Sequence, residues 1–420
     1  MCQAVLLDLV HGCCPRCAGL SLRGGSASDR RVFLLRAKTD PSGACASPYR
    51  GAHALDGDST AERLYRMKRT LDDLDLSSVR VVTSARGREA LLWYQRLLFT
   101  AVYRFEYRVT STPGCPSCCG SAHTGPTPET IQEEVSAFVQ RLPALMGDVK
   151  IRKSTMIPDV FGHGFSSRAG GVSYIPTLSS LNLFCSQTRR DPPAVVTENR
   201  RRLALHAGFP PQSLHLVKVA HASDIWVMGT EEPRSYDAVL TNQRGVVLAA
   251  PGADCMPILF ADPVSEVIGA AHAGWKGTLK GVAMATVDAM VREFGCHVRD
   301  IMVAVGPSVG SCCFTLEQEH ALDFSRIHPD CVPDPESPRP HVNIRLANRL
   351  LLQRGGVNPE HIHDDANPER PLVTPCTSCH PDHYFSHVRD GPNFGTQVGF
   401  VWIREGRDGT HWGTGEDVSH

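Results

Sequence analysis

Along the first third of the chain, short β-branched runs alternate with longer amphipathic ones. Residues 4–10, 32–37 and 79–84 read as strands, and 60–75 and 86–103 as helices between them. That alternation predicts a small α/β domain of the kind that builds a parallel sheet. Two stretches, 38–59 and 110–128, are rich in Gly, Pro, Ser and Cys and read as loops or linkers. A helix over 128–146 follows the second.

From about residue 150 to 405 the texture changes to denser apolar runs punctuated by glycine. Residues 245–250, 257–261, 267–271 and 301–305 are almost continuously apolar, which predicts strands buried on both faces. In 278–294, Leu279, Val282, Ala283, Thr286, Val287, Met290 and Phe294 recur at helical spacing and Gly295 closes the run. The organisation expected is an N-terminal α/β extension of unassigned role over 1–149, a catalytic domain over 150–405, and a polar, glycine-rich, disordered tail over 406–420. A fragment starting near 150 is expected to fold and keep the chemistry.

Composition narrows the function. The 43 Lys+Arg and 44 Asp+Glu leave a formal charge of -1, so no global field attracts nucleic acid or an anionic membrane. Small ligands fit this balance better. The first residues carry no basic segment or small-residue cleavage site, and the most apolar stretch is interrupted by Asp254, Asp262 and Glu266, which argues against export and against a transmembrane segment. A cytoplasmic protein is expected. In that compartment the 16 cysteines read as free thiols and metal ligands rather than a disulfide framework.

The chemistry concentrates between His221 and Trp275. His221, Cys255 and His272 supply two imidazoles and a thiol, spaced 34 and 17 residues apart, and Cys255 and His272 each sit where an expected strand gives way to Gly- or Pro-marked backbone. That donor set suits Zn²⁺, and three protein ligands leave one position open, as catalytic zinc sites do. The plainer alternative is a buried free cysteine beside two hydrogen-bonded histidines. With 19 His and 16 Cys in the chain, spacing alone does not separate these alternatives.

Local motifs add to the spacing. The stretches Ala253-Asp254-Cys255-Met256-Pro257, Ala271-His272-Ala273-Gly274-Trp275-Lys276-Gly277-Thr278, the Gly306-Pro307 segment through Cys312-Cys313, and Phe385-Ser386-His387-Val388-Arg389-Asp390-Gly391 resemble the laccase-domain family, once called multicopper polyphenol oxidoreductases. So do Ser179-Ser180-Leu181-Asn182-Leu183 and Glu198-Asn199-Arg200. The resemblance spans roughly 158–403. It implies phosphorolysis of adenosine, inosine, guanosine and methylthioadenosine together with deamination of adenosine to inosine, with purine nucleosides and inorganic phosphate as small-molecule partners. It also puts His221, Cys255 and His272 on the family's zinc-binding, catalytic positions. The fold class expected is α/β: a layered α/β/β/α catalytic domain preceded by the smaller α/β domain.

Arg168 beside Gly170-Gly171, Lys276 and Arg389 are the candidate contacts for phosphate or developing charge, and Asn182 for ribose or base; each reads equally well as a surface cation or a loop cap. The chain departs from the bacterial pattern at Val219, where Gln is usual, and at Val388 and Thr396, where Arg is common. Those departures touch substrate contacts and leave the metal ligands intact.

Four rival readings carry less. Copper oxidation needs many closely paired histidines, and the only His-x-His here is His361-Ile362-His363. The zinc nucleobase deaminases need His-x-Glu with Pro-Cys-x-x-Cys; Pro375-Cys376-Thr377-Ser378-Cys379 supplies the second half, but no His or Cys is followed two positions later by Glu. A hydrolase or deamidase using Cys255 as a nucleophile activated by His272 stays open, whereas the intact His221, Cys255 and His272 set argues against a binding or scaffold protein that has lost activity. A structural zinc site shared by the pairs Cys14/Cys17 and Cys115/Cys118 is disfavoured by the long stretch between them.

Overall fold

A computed structural model of the chain describes residues 4–11, 31–36, 52–110 and 125–405. The cysteine pairs at 14/17 and 115/118, the tail 406–420 and most of the two linker stretches lie outside the described residues. By contacts the chain divides into two compact units. The first comprises 1–149, 168–203 and 392–395; the second comprises 150–167, 204–391 and 396–420.

In the first unit, strands β1 (Ala4–Asp8), β2 (Val32–Leu35), β3 (His53–Leu55), β4 (Ser78–Thr83) and β5 (Arg104–Val109) form one parallel sheet in the order β3-β2-β1-β4-β5. Helices α1 (Thr60–Asp73) and α2 (Ala85–Leu98) are its crossovers, capped by Ser59 and Ser84. Helix α3 (Pro128–Gln140) starts at the Thr127 cap with Pro at its first turn. Val172 and Val195 are buried in the same core as Tyr65, Leu91 and Phe138. The helix expected over 86–103 stops at Leu98, and after a turn over 99–103 the chain enters β5. Its Arg, Glu and Arg alternate with Phe and Tyr, so an exposed edge strand was hidden among charges.

The second unit stacks two sheets. One has the order β15-β14-β12-β13-β10-β9, built from β9 (Ile225–Val227), β10 (Ala238–Thr241), β12 (Met256–Asp262), β13 (Val267–Ala273), β14 (Met302–Val305) and β15 (Ile362–His363). The other has the order β6-β7-β16-β11-β8, built from β6 (Ile151–Arg152), β7 (Phe161–Ser166), β8 (Leu214–Leu216), β11 (Val247–Gly252) and β16 (Gln397–Ile403). The continuous apolar character of β12 follows from its two neighbours. Ile258 and Phe260 face helices α6 (Val282–Phe294) and α8 (Ile344–Arg354), whereas Leu259 and Ala261 face Leu248, Ala250 and Val401 of the second sheet. Each large side chain so buried contributes about 1.5–3 kcal/mol.

Residues 275–294 form two helices rather than one: α5 (Trp275–Leu279) ends before Gly281, whose φ of +77 breaks the run ahead of α6. Strand β7 was not legible because its glycines dilute the pattern; a Cβ on Gly162 would lie 2.0 Å from the Trp402 ring. Both units are α/β, as expected. Among the described residues, no helix is long and apolar enough to cross a membrane.

Candidate metal centre

The antiparallel register of β12 and β13 pairs Met256 with Ala273 and Pro257 with His272. Cys255, one residue before β12, and His272, near the end of β13, therefore meet at one end of the strand pair. On the other side of β13, Ala238 pairs with Ala271, which sets Asp237 beside His272. The third donor, His221, sits on the connection between β8 and β9 with φ +56, a left-handed conformation uncommon outside glycine.

The donor atoms of His221, Cys255 and His272 all lie within 4.8 Å of one another. The two imidazole rings stand nearly perpendicular, with centroids 5.1 Å apart. Asp237 enforces much of this. One carboxylate oxygen accepts the His272 Nδ1–H at 2.9 Å and the His221 backbone N–H at 3.1 Å; the other accepts the N–H groups of Ala220 and Ala222 at 3.1 and 2.8 Å. Burial would raise the Asp237 carboxyl, but His272 and these amides hold it below the usual carboxylate range. With Nδ1 committed, Nε2 is the His272 nitrogen left for a metal.

Electrostatics prepare the thiolate. Burial pushes the Cys255 thiol up, but His272 and His221 beside it bring it down to about 6. His272 shows the converse: burial opposes its charge, yet the Cys255 sulfur and Asp237 lift it to about 9. Metal-free, the pair is a thiolate beside an imidazolium. Gly274 leaves room for that sulfur, since a Cβ there would lie 2.8 Å from the Cys255 Sγ.

Asp254 holds the other flank. Its φ is +92, and its carboxylate accepts the Thr377 and Ser386 hydroxyls, both at 2.7 Å, and the Val388 N–H at 2.6 Å. Sequence reading met Asp254 as part of a motif and as an interruption of an apolar stretch, gave it no role, and passed over Asp237 altogether. The signal available for Asp237 was an acidic residue directly before a short, fully buried strand.

The four candidate substrate contacts fall into different surroundings. Lys276 is exposed in the first turn of α5, its Nζ 5.2 Å from the Trp275 ring centroid. Arg389 donates through Nε and Nη2 to the Asp390 carboxylate at 2.8 and 2.7 Å and to the carbonyls of Thr377 and Tyr384, both at 2.9 Å. Its charge is thereby offset and its fork fastens the segment that reaches Asp254. Arg168 and Asn182 belong to the first unit. Arg168 donates to the carbonyls of Ser179 and Pro176 at 2.6 and 2.7 Å, and Asn182 donates to Asp191 at 2.9 Å. A cavity of about 1160 Å³ lined by residues such as Arg244, Glu266 and Trp402 contains none of the three donors, so size alone does not mark the chemistry.

Two imidazoles and a thiolate, with a buried carboxylate behind one imidazole, fit a zinc ion. Blue-copper sites add a long axial ligand such as Met; here the neighbouring Met256 is buried in the helix-side core, with its sulfur taken by Asn348 at 3.7 Å.

Residues 162–404 match the family described as multi-copper polyphenol oxidoreductase laccase. Over 352 residues the chain is 51% identical to a Mus musculus protein named purine nucleoside phosphorylase LACC1, covering 82% of this chain and 80% of that one. It is 28% identical over 263 residues to a protein from an unknown prokaryotic organism named adenosine deaminase RL5, covering 59% of this chain and 96% of that one. The crystal structure of YlmD from Geobacillus stearothermophilus superposes with a TM-score of 0.51 at 30% identity, covering 60% of this chain and 94% of that one.

Proposed function

The chain belongs to the multi-copper polyphenol oxidoreductase laccase family, and we propose that it acts as a zinc-dependent purine nucleoside enzyme, combining phosphorolysis of adenosine, inosine, guanosine and methylthioadenosine with deamination of adenosine. The observation that carries this reading is the convergence of His221, Cys255 and His272 within 4.8 Å, backed by Asp237. Relatives named for both activities support it.

When bound, Zn²⁺ supplies Lewis acidity at its open position, acidifying water or offsetting phosphate charge. The chain supplies the rest. Asp237 keeps the Nδ1 proton of His272, leaving Nε2 as the nitrogen that would hold the metal, and His272 and His221 favour the Cys255 thiolate. Phosphorolysis joins a phosphate oxygen to the ribose anomeric carbon and expels the base. Deamination joins a water oxygen to C6 of adenine and expels ammonia. Lys276 is assigned to offset the charge of the phosphate dianion, and Arg389 to position the loop that holds Asp254. Arg168 and Asn182 enter this reading as supports of the segment 168–191. The chemistry is assigned to 150–405, with 1–149 an extension whose core takes in Val172 and Val195.

A second reading, a Cys–His hydrolase or deamidase, draws on the same Asp237–His272–Cys255 series. One experiment separates them. Purified protein is incubated with adenosine, with and without phosphate, and every purine product is identified while bound zinc is counted. Phosphate-dependent adenine release, inosine formation and a zinc lost in Cys255→Ala are expected. Full turnover in Cys255→Ala, or undiminished turnover in protein shown to hold no metal, would end the zinc reading.

A further inference from the structure

A second group of metal donors among the described residues plays no part in that chemistry. The sulfurs of Cys312, Cys313, Cys376 and Cys379 all lie within 4.8 Å of one another. The two pairs are 63 residues apart in the chain, on the loops after β14 and before α9 (His387–Asp390). Backbone pairing zips these loops together: Ser308 N–H donates to the Pro375 carbonyl at 3.3 Å, and Thr377 N–H to the Ser308 carbonyl at 3.0 Å. The buried Arg345 spans both, donating to Ser308 Oγ and to the Pro375 carbonyl, each at 3.0 Å.

The spacing of the sulfurs suits one cation and not a bond between two of them. Cys379 Sγ stands 3.5 Å from Cys312 Sγ and 3.4 Å from Cys313 Sγ. A disulfide requires about 2.05 Å. A tetrahedron of thiolates about 2.3 Å from zinc has sulfurs about 3.8 Å apart. The Gly310 N–H already points at Cys376 Sγ, at 3.3 Å, the kind of donor that surrounds metal-bound thiolates. Gly310 also lacks the side chain that would crowd the site: a Cβ there would lie 3.2 Å from Cys312 Sγ.

We propose that Cys312, Cys313, Cys376 and Cys379 form a closed, structural Zn²⁺ site. Four protein ligands leave no position for a reactant, so the ion ties two loops and performs no turnover. Binding converts the remaining thiols to thiolates and releases their protons to solvent. Thr377 lies between two of the ligands and holds Asp254, the residue before Cys255, at 2.7 Å. Loading the four-cysteine site therefore steadies the flank of the His-Cys-His centre without joining it.

The test uses the full chain purified under reducing conditions. Zinc is measured per chain in the wild type, Cys379→Ser and Cys255→Ala, and Co²⁺ spectra are recorded after exchange. About two zinc ions are expected in the wild type and about one in each variant. The intense visible and charge-transfer bands of an all-sulfur Co²⁺ site are expected to vanish in Cys379→Ser and persist in Cys255→Ala, which keeps this outcome separate from the fate of the purine reading. If Cys379→Ser does not fold, alkylation of wild-type protein followed by peptide mapping gives the same answer: Zn²⁺ should protect all four cysteines and chelation should expose them. Equal zinc in wild type and Cys379→Ser, alkylation indifferent to Zn²⁺, or a disulfide joining the two loops in freshly blocked protein would overturn the proposal.

Discussion

Asp237 and His272 meet twice: the carboxylate accepts the ring Nδ1–H at 2.9 Å, and the Asp237 carbonyl accepts the His272 backbone N–H at 2.7 Å. The same carboxylate takes three amides of the turn that carries His221, so one side chain sets the aim of two metal ligands. Asp237→Asn keeps the shape but removes the charge and an acceptor. Zinc affinity, read by competition with a chelating dye, should fall by about 10–100-fold while cooperative unfolding persists. Unchanged affinity would show that His272 is oriented by the strand alone.

Gly274 faces the thiolate. A methyl group at that position would sit 2.8 Å from the Cys255 sulfur, well inside van der Waals contact. Gly274→Ala is expected to displace the sulfur and reduce zinc retention and purine turnover at least tenfold, with little change in helix content by circular dichroism. A variant that holds zinc as tightly as the wild type would mean the sulfur has room to move.

In metal-free protein, Cys255 is a thiolate down to about pH 6, instead of beginning to ionise near 9. Because this pKa is lowered, the reactive form is present above it and lost as pH falls through it. The rate of Cys255 alkylation by iodoacetamide, followed by peptide mass, should hold steady from pH 8 to about 6 and drop below that; zinc should suppress it. A rate that instead rises steadily up to pH 9 would show an ordinary thiol.

Lys276 and Arg389 separate by their surroundings. The exposed lysine follows Gly274 by two residues, and its assigned partner is phosphate, so Lys276→Met should raise the phosphate KM about tenfold and leave deamination within about twofold. Arg389 is bound to Asp390, Thr377 and Tyr384. Arg389→Met should therefore lower both activities together and reduce the melting temperature by roughly a few degrees. Selective loss of phosphorolysis in Arg389→Met would return phosphate to that arginine.

Much of the architecture was legible because burial leaves a periodic trace. The runs at 257–261 and 267–271 announced strands covered on both faces, and Ile258 and Leu259 do point into different cores. Gly295 marked the end of α6, where it takes the left-handed conformation. Where the trace was weak the reading slipped: β5 was concealed by its charges, β7 by glycines that fit against Trp402 and Ile151, and the break at Gly281 by an apolar spacing that continues across it.

By itself the sequence determined which side chains were on offer: two imidazoles, a thiol, and motifs around them whose residue types suit a metal. It did not reveal Asp237, because the relation of that residue to His272 is created by the register of β10 against β13, and register is a long-range property that local periodicity does not encode. Nor did it show that the Arg389 charge is met by Asp390, or that Cys312 and Cys313 face a Cys-x-x-Cys pair 63 residues onward. Hydrophobic burial is written along the chain at a spacing of two or about 3.6 residues. Polar pairing is decided only when distant segments are brought within about 3 Å of one another, and tertiary structure alone accomplishes that.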